Sequence, residues 1–298
     1  MIKKRSTGER IFDLGNIIFM GLFCISIIFP FWQQMIMSIS TPEEAMKNSL
    51  HLYTTNINIK SYLRIFQTGQ IAKAYFWTIL RSIIGTFITL ITSSMLAYPL
   101  SKKYLPLRNF WTGLLVFTMF FGGGLIPTYL LIRNLQMMDT IWALVLPGAL
   151  GAFNVIIIRN FFMSLPVSME ESARIDGAGE FRILLQIIMP LSLPIMATVG
   201  LWSIVGHWNS WFDAIIYITS NKITVIQLVL RKVLLENQLG YSGINSIVLN
   251  MQDQQTREFT PESVKAAILV VSTLPILCIY PFLQKYFVKG IMIGSLKG

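Results

Sequence analysis

Two stretches of this chain hold residue types that could do chemistry. The first runs from Leu165 to Phe181 and gathers Glu170, Glu171, Arg174, Asp176 and Glu180 around the small residues Ser172, Ala173 and Ala178. Ser168, followed three residues later by Glu171, has the spacing of a capping box, which starts a helix by satisfying its free N–H groups. Asp176-Gly177 reads as the break that ends this helix, with Gly177 taking the positive φ that other residues adopt only at a cost. Phe181, Leu184, Leu185 and Ile188 then recur at i, i+3, i+4 and i+7, the apolar stripe of a second, amphipathic helix. Carboxylates on a short helix, with small side chains beside them, suit close-range binding.

The second stretch holds Trp202, His207, Trp208, Asn209, Trp211, Phe212 and Asp213. Aromatic faces next to hydrogen-bonding groups suit a ligand that has apolar faces and many hydroxyls, as sugars do. The same residues would equally form an aromatic belt at a membrane surface. Trp208 and Trp211 are expected on one helical face by their i, i+3 spacing, with Trp202 lower on the same helix. His207 is expected to hydrogen-bond rather than hold a metal, because the other histidine, His51, lies in a distant segment. No metal cluster and no catalytic constellation is expected. Cys24 and Cys278 lie in apolar runs, where inert packing is expected. Gly122, Gly123 and Gly124 lack the Gly-Lys-Ser/Thr that a phosphate loop needs. In an apolar setting Gly123 reads as part of a broken helix lining a wet path, or as close helix packing through small residues.

The elements that must position these residues are outlined by the charges. The chain has 298 residues, of which 54% are hydrophobic and 13% charged, with a mean hydropathy of +0.61. Such a composition excludes a disordered chain, and two cysteines exclude a disulfide scaffold. Charge-free gaps of 19 residues or more occur at 14–42, 82–101, 109–132, 140–158, 183–212 and 266–284. A bilayer core needs about 20 apolar residues in helix, so the expectation is an all-α polytopic membrane protein with six transmembrane helices. The spans fall at about 14–40, 77–101, 109–132, 140–160, 190–213 and 265–284, within one domain covering 1–298. The first gap is too long for a signal peptide and lacks a small-residue cleavage site, so it reads as a retained span. Lys and Arg concentrate in the N-terminal tail, in the loop at 101–108 and in the C-terminal tail. The positive-inside rule then places both termini in the cytoplasm. Most of the net charge of +10 falls on that side, so nucleic acid is not needed to explain it. The same topology makes 164–189 a cytoplasmic loop and 214–263 an outer one.

The run Glu171-Ser172-Ala173, Asp176-Gly177-Ala178, Phe181, Pro190 and Pro194 resembles the EAA loop of ABC importer permeases. Ser172 stands where that family often has alanine. The C-terminal segment from Gln284 through Lys289, Gly290 and Gly294 to Lys297 and Gly298 is similar to the tail of maltose-type sugar permeases. The run from Gly122 to Pro127 resembles the complex-oligosaccharide branch of that family. The resemblance implies the type I importer permease fold and a bacterial cytoplasmic-membrane location. It implies a coupling helix made by Glu171, Ser172, Ala173, Asp176, Gly177, Ala178 and Phe181, docked on an ATPase subunit. Glu171 would then serve as helix cap or as a charge-assisted contact to the ATPase, and both roles stay open. Lys289, Gly290, Gly294 and Lys297 would reach toward the ATPase dimer. The implied partners are a second homologous permease, two ATPase subunits, an extracytoplasmic sugar-binding protein and the lipid bilayer.

This chain has no ATP-binding Gly-x-x-x-x-Gly-Lys-Ser/Thr run, so it is expected to be non-catalytic, with no cofactor of its own and with ATP and Mg held by partners. The expected function is a permease subunit of an ATP-driven carbohydrate importer. The competing reading, an ion-coupled secondary transporter, usually places carboxylates or other ionisable groups inside its spans, and the six gaps contain no Asp, Glu, Lys or Arg.

Overall fold

The computed structural model describes residues 7–47, 50–67, 69–220, 222–239 and 259–295, with the backbone alone described at 236–239, 280 and 282–295. Its regular structure is helical throughout the described residues. The chain divides into two compact units. One holds the described residues of Met1–Gln70 and Lys232–Leu274, the other those of Ile71–Arg231 and Pro275–Gly298.

In the first unit, α1 (Thr7–Ile39) runs 33 residues through the first charge-free gap. Two short helices follow, α2 (Pro42–Ala45) and α3 (Lys60–Gln67). Polar contacts tie α3 and the segment before it to the end of α1: the Ser38 and Tyr62 hydroxyls lie 2.7 Å apart, and Asn58 N–H donates to the Ile39 carbonyl at 2.8 Å. The Thr54 and Thr55 hydroxyls donate to Glu44, which holds its carboxyl below the ordinary carboxylate range. Buried Ser61 and Ser263 bond at 3.0 Å within this unit.

The second unit is built on α4 (Gln70–Ser101), a single helix of 32 residues. Its buried face carries small and hydroxyl residues such as Ala74, Thr78, Ser82, Gly85, Thr89 and Ser93, which let neighbouring backbones approach closely. Three further apolar stretches are interrupted. Helices α5 (Arg108–Phe120) and α6 (Leu125–Asn134) meet at 107°. Helix α7 (Ile141–Val145) tightens into a 3₁₀ turn at Leu146–Gly148, and Ile141–Gly148 meets α8 (Ala152–Ser164) at 54°. Then come α9 (Ser168–Ile175) and α10 (Glu180–Ile183), a π turn at Leu184–Ile188, and α11 (Met189–Leu191). The run Glu180–Leu191 meets α12 (Leu193–Asn209) at 84°. Helix α13 (Phe212–Tyr217) follows. Helices α14 (Ile226–Leu239) and α15 (Pro261–Ser295) are each divided between the units, after Arg231 and after Leu274.

By length and composition, Thr7–Ile39, Gln70–Ser101 and Pro261–Ile279 can each cross a membrane alone, and the number rises to six if each bent pair is one span. Each of the six charge-free stretches therefore holds helix, but three hold a bent pair. Charge gaps measure apolar length, whereas the bends come from backbone chemistry. Gly124 takes φ +83° between α5 and α6, and Pro190 and Pro194 flank the turn at Ser192.

Among the described residues, two apolar cores form within the second unit. One packs Ala97, Tyr98 and Leu100 of α4 against Val155, Ile158 and Phe162 of α8 and Ile195, Met196 and Val199 of α12. Ala173, Ile183, Leu184 and Ile188 from the intervening loop join it. The other gathers Ile132, Ala143, Leu144, Ala214, Tyr217 and Val225.

Candidate functional site

Helix α9 begins differently from the capping-box expectation. Pro166 and Val167 already curl into the first turn: Met169 N–H donates to the Pro166 carbonyl, and Glu170 and Glu171 N–H both donate to that of Val167. Val167 is the N-cap with helical φ and ψ, and no side chain caps the helix. Ser168 thus lies inside the helix, out of position to cap it. The far end follows the expectation. Gly177 takes φ +80°, its N–H donates to Arg174 and that of Ala178 to Ala173. This is a Schellman motif, which satisfies the last carbonyls of the helix.

The second helix departs from its expected stripe. Leu184 and Ile188 are buried together with Ile183, while Phe181 and Leu185 are exposed. The π turn at Leu184–Ile188 adds a residue to the turn and rotates the register, so i, i+3 and i+4 partners no longer share one face.

The exposed face of α9 and its turn presents Glu171, Ser172, Asp176 and Gly177, with Ile175 86% exposed and Phe181 61% exposed. Ala173 is buried in the α4–α8–α12 core, and Ala178 is half-buried against it. The opposite face is locked by an ionic network that sequence reading did not find. Glu170, 7% exposed, pairs with Lys102, 9% exposed, in the loop after α4. Lys102 Nζ also lies 4.1 Å from the centre of the Tyr98 ring. Arg174 Nη2 stands 3.8 Å from Glu170 Oε2 and 2.8 Å from Glu180 Oε1, and it donates to the Tyr104 hydroxyl at 2.8 Å. The Tyr98 hydroxyl donates to Glu180 Oε2 at 2.7 Å. Partial burial pushes the Glu180 carboxyl upward, but Tyr98, Arg174 and Lys102 outweigh it and hold the group below its ordinary value. Partial burial and the same carboxylate push the Tyr104 phenol up.

At the other end of α12 the structure separates residues that spacing had joined. The helix stops at Asn209, and Ser210 turns extended. Trp208 and Trp211 therefore do not share a helical face. Trp208 is buried, edge-on to Tyr75 with ring centres 5.9 Å apart. Trp211 is half-buried, with the Arg231 guanidinium 3.4 Å from its ring centre. Trp202 rests on Phe153 at 5.7 Å, and Asn209 is exposed. The His207 imidazole lies against Gly85, where a Cβ would come within 2.2 Å of Nε2.

The turn itself is held by Arg81, in the first half of α4. Its guanidinium pairs with Asp213 and donates to the carbonyls of Ser210 at 3.1 Å and Leu144 at 3.2 Å. Asp213 also accepts from the Ser210 hydroxyl and the Ala214 N–H. Gly123 lies in the non-helical run between α5 and α6. A Cβ at Gly122 or Gly124 would meet nothing within 4 Å, and one at Gly123 only Pro127 at 3.8 Å. The glycines thus serve the break, and helix packing does not use them among the described residues. Lys289, Gly290 and Gly294 fall on the α15 backbone. Lys297 and most of the outer loop, 240–258, lie outside the described residues.

This arrangement has relatives. A solved structure of a bacterial ABC transporter involved in the import of the acidic polysaccharide alginate holds a chain that matches with a TM-score of 0.86 and 30% identity, covering 95% of this chain and 99% of that one. Protein LplC of Bacillus subtilis (strain 168) is 39% identical over 97% of this chain and 96% of its own length. The polygalacturonan/rhamnogalacturonan transport system permease protein YtcP of the same organism is 38% identical, over 97% and 99%. The family model for the inner membrane component of binding-protein-dependent transport systems matches residues 2–293. With that match over nearly its whole length, the chain belongs to the family of binding-protein-dependent transport system inner membrane components.

Proposed function

We propose that this chain is the permease subunit of an ATP-driven importer for acidic oligosaccharides. It forms the translocation path with a second, homologous permease subunit. An extracytoplasmic sugar-binding protein delivers the substrate, and two ATPase subunits hold ATP and Mg. Both termini and the 164–189 loop face the cytoplasm, and hydrolysis takes place in the ATPase chains.

The observation that carries this reading is the division of α9 into two faces. One is fixed by Lys102 and the core, while Glu171, Ser172 and Ile175 stand exposed on the other. A helix held this way offers a carboxylate and an apolar contact to a partner without being free to move away. The acidic substrate class is supported by its relatives, the polygalacturonan/rhamnogalacturonan permease YtcP and the alginate importer. Arg231 stacked on Trp211 supports it within this chain, because a stacked guanidinium keeps its in-plane donors for a carboxylate while the ring offers a face to sugar C–H groups. An ion-coupled carrier would need a free ionisable group in the path, but Asp213 is already engaged by Arg81, Ser210 and the Ala214 amide.

Reconstitution with the partner chains tests the reading. Uptake of a polygalacturonan digest should require both ATP hydrolysis and the binding protein. Uptake by this chain alone under an ion gradient would sink it. In the same preparation, Glu171→Ala should detach or uncouple the ATPase and leave the chain inserted. Unchanged ATPase association and uptake would remove Glu171 from that role.

A further inference from the structure

Helix α9 can report an ATPase movement only if something inside the chain moves with it. Its turn packs on the α4–α8–α12 core, and the polar braces across it come from the end of α4. Tyr98, Lys102 and Tyr104, at and just after the end of α4, contact Glu170 and Arg174 on one side of Gly177 and Glu180 on the other. Ala173 seals the contact, buried in one core with Ala97, Tyr98 and Leu100. The end of α4 is itself fixed, because the Leu100 carbonyl accepts from Arg108 at 3.1 Å and from Arg159 at 2.9 Å. Cations at the C-terminus of a helix also favour its dipole. A loop with no mechanical task would leave Lys102 and Glu170 in water, where both are cheapest to keep. From Lys102 the helix runs back to Arg81, about 30 Å away at 1.5 Å per residue, where it holds the α12–α13 turn.

We propose that the buried Lys102–Glu170 pair, backed by Arg174, Glu180, Tyr98 and Tyr104, makes α9 and α4 one rigid body, so that displacement of α9 is delivered to the Arg81 end of α4. Lys102 and Glu170 are positioning residues. They act through α9 and touch neither substrate nor nucleotide. The inference rests on the docking of α9 on the ATPase and adds the route the movement takes beyond it.

The test uses the full reconstituted complex, with Cys24 and Cys278 replaced by serine and nitroxide labels at Ser172→Cys and Ile83→Cys. Pulsed electron resonance then reads the α9-to-α4 distance with and without ATP. With Lys102 present, the distance should be the same in both states. In Lys102→Met and in Glu170→Gln it should shift on adding ATP, by up to roughly one helical turn, about 5 Å. The exchanged pair, Lys102→Glu with Glu170→Lys, should restore the constant distance. If Lys102→Met fails to assemble, Glu170→Gln and Tyr104→Phe carry the same measurement. A distance that changes with ATP in the otherwise unsubstituted chain, or one that stays constant in the single variants, overturns the proposal. Cross-linking of Ser172→Cys to the ATPase tests docking separately. No cross-link sinks the docking reading, whereas a cross-link with a constant distance in the single variants sinks only the rigid link.

Discussion

Gly85 stands where a side chain has no room, because His207 occupies the space a Cβ would need. The obstacle is an imidazole ring held between two helices, so Gly85→Ala forces that ring aside. Overpacking of this kind costs about 1–3 kcal/mol. Gly85→Ala should therefore lower the thermal unfolding temperature of the solubilised protein, and adding His207→Ala should recover most of the loss. Equal unfolding temperatures for Gly85→Ala and the unchanged chain would show that the close approach carries no weight. Among twenty glycines, Gly85 was not legible as special, because its constraint comes from a residue on another helix. Gly177 was legible, because its constraint is local to the turn it makes.

Connections between elements rest on a few ionic side chains. Arg81 ties α4 to α7 and to the turn between α12 and α13. Arg81→Met would leave Asp213 without its cation, and breaking a buried pair costs about 3–5 kcal/mol. Arg81→Met with Asp213→Leu should lie closer to the unchanged chain in a denaturation assay, and an additive pair of losses would refute the coupling. Asp139 makes a second connection, from the α6–α7 loop to the segment after α13. It accepts the N–H groups of Ser220 and Thr219 at 2.7 Å each and the Thr219 hydroxyl at 2.7 Å. The Ser220 amide, then the Thr219 hydroxyl, lead in holding its carboxyl at about 2, down from an ordinary 3.8. The folded value is the lower one, so the stabilisation is complete above about pH 4 and lost as pH falls toward about 2. Amide exchange of the peptide containing Thr219 and Ser220 should be faster in Asp139→Asn than in the unchanged chain at pH 6. The two should converge near pH 2, and equal protection at pH 6 would contradict this account.

At the scale of the molecule, the six apolar stretches were legible because a bilayer imposes length and lack of charge on whatever crosses it. The angles within three of them were not, since a bend of 107° or 84° depends on how a few glycines and prolines are packed. The same limit explains the tryptophans, where the i, i+3 rule presumes a helix that in fact ends between Trp208 and Trp211. The Lys102–Glu170 pair joins residues 68 positions apart, and nothing local to either marks it. A capping box was the wrong local reading of Ser168 because Pro166 had already started the turn.

Helix α1 differs from the others in one respect. Along its most apolar stretch none of it is buried, and Ile17, Phe19, Leu22, Ile25 and Ile28 are all exposed. Its ties to α3 lie at its far end, around Ser38 and Ile39. During translation it leaves the ribosome before the other described helices, and nothing in its apolar length waits for them. It can pass into lipid as soon as it clears the exit tunnel and hold the nascent chain at the bilayer. The bent pairs, two of which lean on Arg81 and Thr92 of α4 for carbonyls at or near their breaks and ends, are then threaded into a membrane where the polypeptide is already anchored.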